Sequence, residues 1–206
     1  MRHLAYTFLF SFMLMLIFAE PIIVSGTEDN DYESWLTRLN DGRIMLTFGR
    51  NPDFNSGDIY VTFSENDGET WTSPELIVTG DADQTLTSFV QLEDDSIKMY
   101  YSSNESGNYS IVQASSLNGL NWEYEGEVDL GWNSNYIVYD PNVFLCENGS
   151  IIVAYVVNGQ GVFVSRTAEN GVWDTTQRLI DTSSYRPRII QKNDGGFAIA
   201  YHKRWG

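Results

Sequence analysis

The chain has 206 residues, 42% of them hydrophobic and 14% aromatic, enough for one folded body with a substantial core. With 28 acidic against 12 basic residues its formal net charge is −16, which argues against nucleic acid and anionic membrane surfaces as partners, because both attract basic proteins. A single cysteine, Cys146, excludes an internal disulfide.

Residues 1–26 read as an export signal. Arg2 and His3 give a basic start, residues 4–19 are apolar, and Ala19 or Gly26 offers a small residue for cleavage. An uncleaved anchor is the alternative, which Glu20 and Pro21 disfavour. Secretion is therefore expected, with a mature domain over residues 27–206. That domain alternates or runs apolar over strand lengths. Strands are expected at 35–39, 43–48, 58–63 and 75–78, then at 88–92, 97–102, 109–114 and 127–130. A third set falls at 142–145, 150–156, 161–165 and 177–180, and a fourth set opens at 185–190 and 197–201. These runs are rich in Val, Ile, Tyr, Phe and Thr, which fit a pleated, half-buried surface. Asn40-Asp41-Gly42, Glu93-Asp94-Asp95, Asn148-Gly149 and Asp194-Gly195-Gly196 stand at matching points as turns. No sustained 3.6-residue period occurs after the leader, so almost no helix is expected.

One phrase recurs. Ser64-Glu65-Asn66-Asp67-Gly68-Glu69-Thr70-Trp71 is followed by Ser115-Ser116-Leu117-Asn118-Gly119-Leu120-Asn121-Trp122, then by the shorter Thr167-Ala168-Glu169-Asn170-Gly171-Val172-Trp173. Trp71, Trp122 and Trp173 thus fall 51 residues apart (71, 122, 173). Four strands in a repeat of that length is the sequence form of a β-propeller blade. The units span about 32–80, 81–131, 132–181 and 182–206, which is three blades and a half.

The phrase resembles the Asp-box, or BNR repeat, of the sialidase superfamily, Ser-x-Asp-x-Gly-x-x-Trp. Ser64, Asn66, Gly68 and Trp71 match it most fully. Ser115, Gly119 and Trp122 match with Leu117 in the Asp place, and Gly171 and Trp173 remain in the third copy. The resemblance covers about residues 32–206 and implies an all-β, sialidase-like propeller, part of a six-bladed one, with further blades missing from this chain. Within the phrase, the polar side chain accepts backbone N–H groups, Gly supplies a positive φ, and Trp folds back as an apolar plug. All three tasks are structural. In the family these turns lie opposite the catalytic face.

Chemistry is then expected on the other face, in loops carrying Arg50, Asp53, Asp83, Tyr139, Asp140, Tyr185, Arg186 and Arg204. One column stands just before each innermost strand: Glu33, Thr87, Asp140 and Arg186, whose side chains would point into a central funnel. Two acids and an arginine there suit a polar sugar or a metal-held ligand. The plainer reading is turn chemistry at Asp140-Pro141 and Arg186-Pro187. A sialidase grips its substrate's carboxylate with several arginines and attacks with a tyrosine. Arg50, Arg186 and Arg204 can be read as such a triad from loop placement alone, and no catalytic residue carries over by motif.

With His202 the only histidine outside the leader, and no Gly-rich phosphate loop, neither a metal nor another cofactor is expected. Three functions follow as expectations. The first is an exported, carbohydrate-interacting propeller related to exo-glycosidases, with glycans or glycoproteins as partners and self-association or missing blades to complete it. The second is a secreted protein-binding scaffold. The third is a glycoside hydrolase resembling the five-bladed arabinanases, in which Asp140 of Tyr139-Asp140-Pro141 would be a strand-start acid and Glu33 a second.

Overall fold

The computed structural model describes residues 22–26, 29–51, 56–168 and 171–203. The expected leader lies outside the described residues apart from 22–26, and so do Asp53 and Arg204. Among the described residues there are fourteen strands and no helix. β1 (Asn30–Arg38), β2 (Ile44–Asn51), β3 (Asp58–Ser64) and β4 (Glu75–Val78) form one antiparallel meander. β5 (Gln84–Gln91), β6 (Ile97–Ser103), β7 (Ser110–Ser116) and β8 (Glu123–Glu127) form the second. β9 (Val138–Leu145), β10 (Ile151–Val157), β11 (Gly161–Arg166) and β12 (Arg178–Thr182) form the third, and β13 (Ser184–Gln191) pairs with β14 (Phe197–Lys203).

The core lies between blades, and the two-residue strand period assigns each side chain to a neighbour. On β6, Met99 and Tyr101 join Met45, Val61 and Phe63 of the first blade, whereas Tyr100 turns to Val153, Tyr155 and Phe163 of the third. On β10, Val153 and Tyr155 face the second blade while Ile152 and Ala154 face Ile189 of the fourth. A strand covered on both faces has no polar side to show, which is why residues 151–157 are continuously apolar. Cys146 is buried in the last of these interfaces.

The four β1–β2-type turns are equivalent. Each closes with a short backbone bond: Gly42 to Leu39, Asp95 to Leu92, Gly149 to Cys146 and Gly195 to Lys192. Asp95 holds at φ 66° the left-handed place that Gly42, Gly149 and Gly195 take elsewhere.

The repeated phrase shifts in the second blade. The Oγ of Ser64 accepts the N–H of Gly68 (2.8 Å), Asn66 Oδ1 accepts that of Thr70 (2.9 Å), and the Trp71 indole donates to Gly68 O (3.0 Å). In the second copy Ser116, not Ser115, accepts the N–H of Gly119 (2.9 Å), and Asn118, not Leu117, accepts those of Leu120 and Asn121. The copy is one residue shorter than its tryptophan spacing suggests, so the expected alignment on Ser115 is corrected. Gly119 sits against Phe63 and Met45, where a Cβ would clash. Trp122 and Trp173 plug the gaps between blades, packing on Phe89 and Tyr100. Gly171 donates its N–H to Ala168 O in the third copy.

Two strand expectations move. β8 covers Glu123–Glu127 instead of 127–130, since Val128 and Leu130 leave the strand to pack on the next blade. The inner strands begin at Asn30, Gln84, Val138 and Ser184, earlier than expected.

Candidate functional site

The early start of the inner strands has one cause in all four blades. Each carries a bulge, with pairing shifted between Tyr32 and Trp35, between Thr85 and Ser88, opposite Tyr155 at Asp140–Pro141, and between Tyr185 and Arg188. Within each bulge one residue is left-handed: Glu33 (φ 52°), Leu86 (55°), Asp140 (56°) and Arg186 (54°). A non-glycine residue there costs roughly 1–2 kcal/mol, and such strain persists where the fold over-determines it, often at functional sites. The column expected from sequence is therefore corrected in two ways. It lies inside the strands, not before them, and its second member is Leu86. Thr87, the next residue, lines the same central cavity and bonds Thr47, Oγ1 to Oγ1 at 2.6 Å. Pro141 and Pro187 follow the left-handed residue, where a bulge leaves no ladder N–H to supply.

Four strands thereby aim their bulges at one axis. Glu33, Leu86, Asp140, Arg186 and Arg188 line a polar cavity of about 290 Å³. Arg186 reaches across it to Glu33 (Nη2 to Oε1, 3.7 Å), joining the fourth blade to the first. Thr85 Oγ1 donates to the other Glu33 oxygen at 2.7 Å. Arg188 approaches Asp140 (Nη1 to Oδ1, 3.7 Å) with its guanidinium over the Trp35 ring. Both ion pairs are longer than a direct charged hydrogen bond, so an incoming polar group can compete for either arginine. Asp140 is only 3% exposed, and its N–H donates to Ser102 Oγ. Burial pushes its carboxyl above the usual carboxylate range; the charges of Arg188 and Arg186 oppose this, and Glu33 reinforces it. Arg188 escaped sequence reading, although its place two residues past Arg186 on the same inner strand was the available sign.

Asp83 belongs to a separate cluster on the same rim. Its carboxylate accepts the hydroxyls of Tyr32 (3.3 Å) and Tyr109, while its own N–H donates to Asn104 Oδ1. Burial and then the Asp83 charge push the Tyr32 hydroxyl up to about 12, and burial with the Asp83 hydrogen bond raises Tyr109 likewise. In this arrangement both phenols are protonated donors that tie the rim to Asp83. Gly57 leaves room for them, as a Cβ there would collide with Tyr32 and Asp83.

The remaining candidates separate. Arg50 is clamped on Asp31 (Nε to Oδ1, 2.7 Å; Nη2 to Oδ2, 3.1 Å) and lies over Phe48 and Tyr60. It ties β2 to β1 and does not line the funnel, so it forms no triad with Arg186. Tyr139 and Tyr185 flank a cleft of about 450 Å³ with Asn158 and Ser183, and the Tyr185 ring meets His202 edge-on at 5.3 Å.

No protein-family model matches this sequence, and no curated protein matches it at the sequence level. Solved structures do share its shape. The NanB sialidase from Streptococcus pneumoniae superposes with a TM-score of 0.70 at 10% identity, over 88% of this chain and 50% of that one. A GH93 α-L-arabinofuranosidase of Fusarium graminearum gives 0.66 at 15% identity, over 87% and 59%. The endo-arabinase from Bacteroides thetaiotaomicron gives 0.63 at 10% identity, over 84% and 70%. The fold is a β-propeller. At these identities the likeness concerns architecture alone, and it extends equally to sialidase and arabinan-degrading shapes. The propeller spans about half of the NanB chain.

Proposed function

We propose that this protein is an exported, sialidase-like propeller that binds carbohydrate in its central funnel. The observation that carries the reading is the convergence of Glu33, Asp140, Arg186 and Arg188 on one open polar cavity, the first three from left-handed positions that recur, with Leu86, in four strands. Sugar hydroxyls both donate and accept, and carboxylates beside guanidinium groups offer them both functions. Such groups are held by strands, whose geometry is fixed more tightly than that of loops. The fold shared with sugar-degrading enzymes supports the same direction. Binding of the secreted protein to an array of glycans tests it. Arg186→Ala is expected to weaken any ligand at least tenfold, and Asp140→Asn to weaken it less. Binding that ignores both substitutions would sink the funnel, and a protein that takes no glycan would leave the scaffold reading in its place.

Asp140 favours a second reading, hydrolysis of the arabinanase kind. A buried carboxyl with a raised pKa retains its proton at higher pH than an exposed one, as a general acid requires. Release of reducing ends from arabino-oligosaccharides, lost in Asp140→Asn, is the outcome expected on that reading.

A further inference from the structure

The residue just ahead of each left-handed position belongs to a second row around the funnel. It is Tyr32 in the first blade, Thr85 in the second, Tyr139 in the third and Tyr185 in the fourth. Two of these places are taken up within the fold, since Tyr32 donates to Asp83 and Thr85 to Glu33. Between the third and fourth blades the row stays open, and there Tyr139 and Tyr185 flank the cleft of about 450 Å³. Tyr185 is 36% exposed, and Asn158 and Ser183 are exposed beside it. A ligand can therefore touch both the aromatic surface and its polar neighbours.

The cleft is preformed. Asn158 N–H donates to Ile137 O (2.9 Å), which fixes one wall to the segment leading into β9. Ser184 Oγ accepts the N–H of Val162 (3.1 Å) and donates to Asp181 O (2.6 Å), which fixes the other. Ser183 is left-handed at φ 53°, a conformation that persists where the surroundings over-determine it. The rings are braced as well, Tyr139 by Tyr109 at 6.5 Å and Tyr185 by His202 at 5.3 Å between centroids.

Its chemistry differs from that of the funnel. Among the described residues no charged side chain lines it, although the chain carries a net charge of −16. Aromatic surface with a few polar groups at fixed places is the usual make-up of a small-molecule site. A sugar ring has the matching form: its C–H faces suit an aromatic ring, and its hydroxyls suit an amide, a phenol and a serine. A cavity of about 150 Å³ takes one six-membered ring, so about 450 Å³ has room for a sugar ring with all its hydroxyls. Tyr139 and Tyr185 each adjoin a funnel residue, Asp140 and Arg186, and neighbouring Cα atoms lie about 3.8 Å apart. Cleft and funnel thus share a wall.

We propose that the cleft is a second sugar subsite, which makes the ligand of this protein an oligosaccharide. Its terminal residue occupies the charged funnel, and the next, uncharged ring lies against Tyr139 and Tyr185. The proposal rests on the funnel binding carbohydrate. Two sites engaged by one ligand give an affinity well above that of either alone.

Calorimetric titration of the protein with two matched pairs tests this: arabinose against arabinotriose, and N-acetylneuraminic acid against sialyllactose. In the pair that the funnel accepts, the oligosaccharide is expected to bind at least tenfold more tightly than the monosaccharide. Tyr185→Ala should bring that ratio down to about one, while Tyr185→Phe, which keeps the ring, should preserve most of it. Arg186→Ala should weaken both members alike and leave the ratio intact. Equal affinity within the pair, or a ratio that survives Tyr185→Ala, would overturn the cleft and leave the funnel standing. Binding of none of the four sugars would remove the funnel and this proposal with it.

Discussion

Single side chains hold this propeller together through backbone groups that no strand satisfies. Ser116 illustrates the point: its Oγ accepts the buried N–H of Gly119, whereas neighbouring Ser115 faces the outer edge strand. Ser116→Ala should therefore cost about 1–3 kcal/mol by orphaning that donor, and Ser115→Ala no more than about 0.5 kcal/mol. Urea denaturation of the two variants reads the difference, and equal losses would restore the alignment on Ser115. Asp140 makes the opposite kind of contribution. Burial raises its folded-state pKa above its unfolded value, so the native chain binds the proton more tightly. The stability this brings is complete below the unfolded pKa and is lost as pH rises through the higher folded value. Above that range an ionised Asp140 is a cost to folding. Asp140→Asn should accordingly raise Tm at pH 7 and have a smaller effect at pH 4, with thermal melts at both values as the check. A gain in Tm at pH 7 would identify Asp140 as a residue held against stability, the pattern expected of a site kept for its chemistry.

At the scale of the strand, the bulge is the device that turns a blade into a site wall. An uninterrupted inner strand would present alternate residues to its two neighbouring blades, as β6 and β10 do. The left-handed residue breaks that alternation and redirects one side chain per blade toward the axis. Leu86 tests the account because it carries no charge to confuse the result. Leu86→Gly should raise the unfolding free energy by up to about 1 kcal/mol, relieving left-handed strain, where glycine within an ordinary strand costs about 0.5–1 kcal/mol. A loss of that size in chemical denaturation would show that the strand is not strained there. The outer strands obey another rule. β8 and β12 are exposed and rich in polar residues, which protects an edge from pairing with other chains, and this polarity hid β8 from a search for apolar runs.

For the molecule as a whole, the ion pair from Arg186 to Glu33 links the fourth blade directly to the first across the axis, so the funnel closes by side chains where the described sheets leave it open. The repeat was legible from the sequence because composition, turn residues and the 51-residue tryptophan spacing all express one local unit. Strand alternation and turn chemistry are short-range properties, and a sequence carries them openly. Glu33, Asp140 and Arg186 were legible as a column for the same reason, each standing at one place in its unit. Leu86 was displaced by one residue because the second blade lacks the proline that marks Asp140 and Arg186. The bulges were not legible, because a left-handed Glu, Leu, Asp or Arg has no compositional sign. Their conformations are imposed by packing between blades. The sequence by itself thus determined the blade and its turns, through local propensity. Which charges meet and which carboxyl is buried were decided by the tertiary structure, since each depends on the distance between residues far apart in the chain.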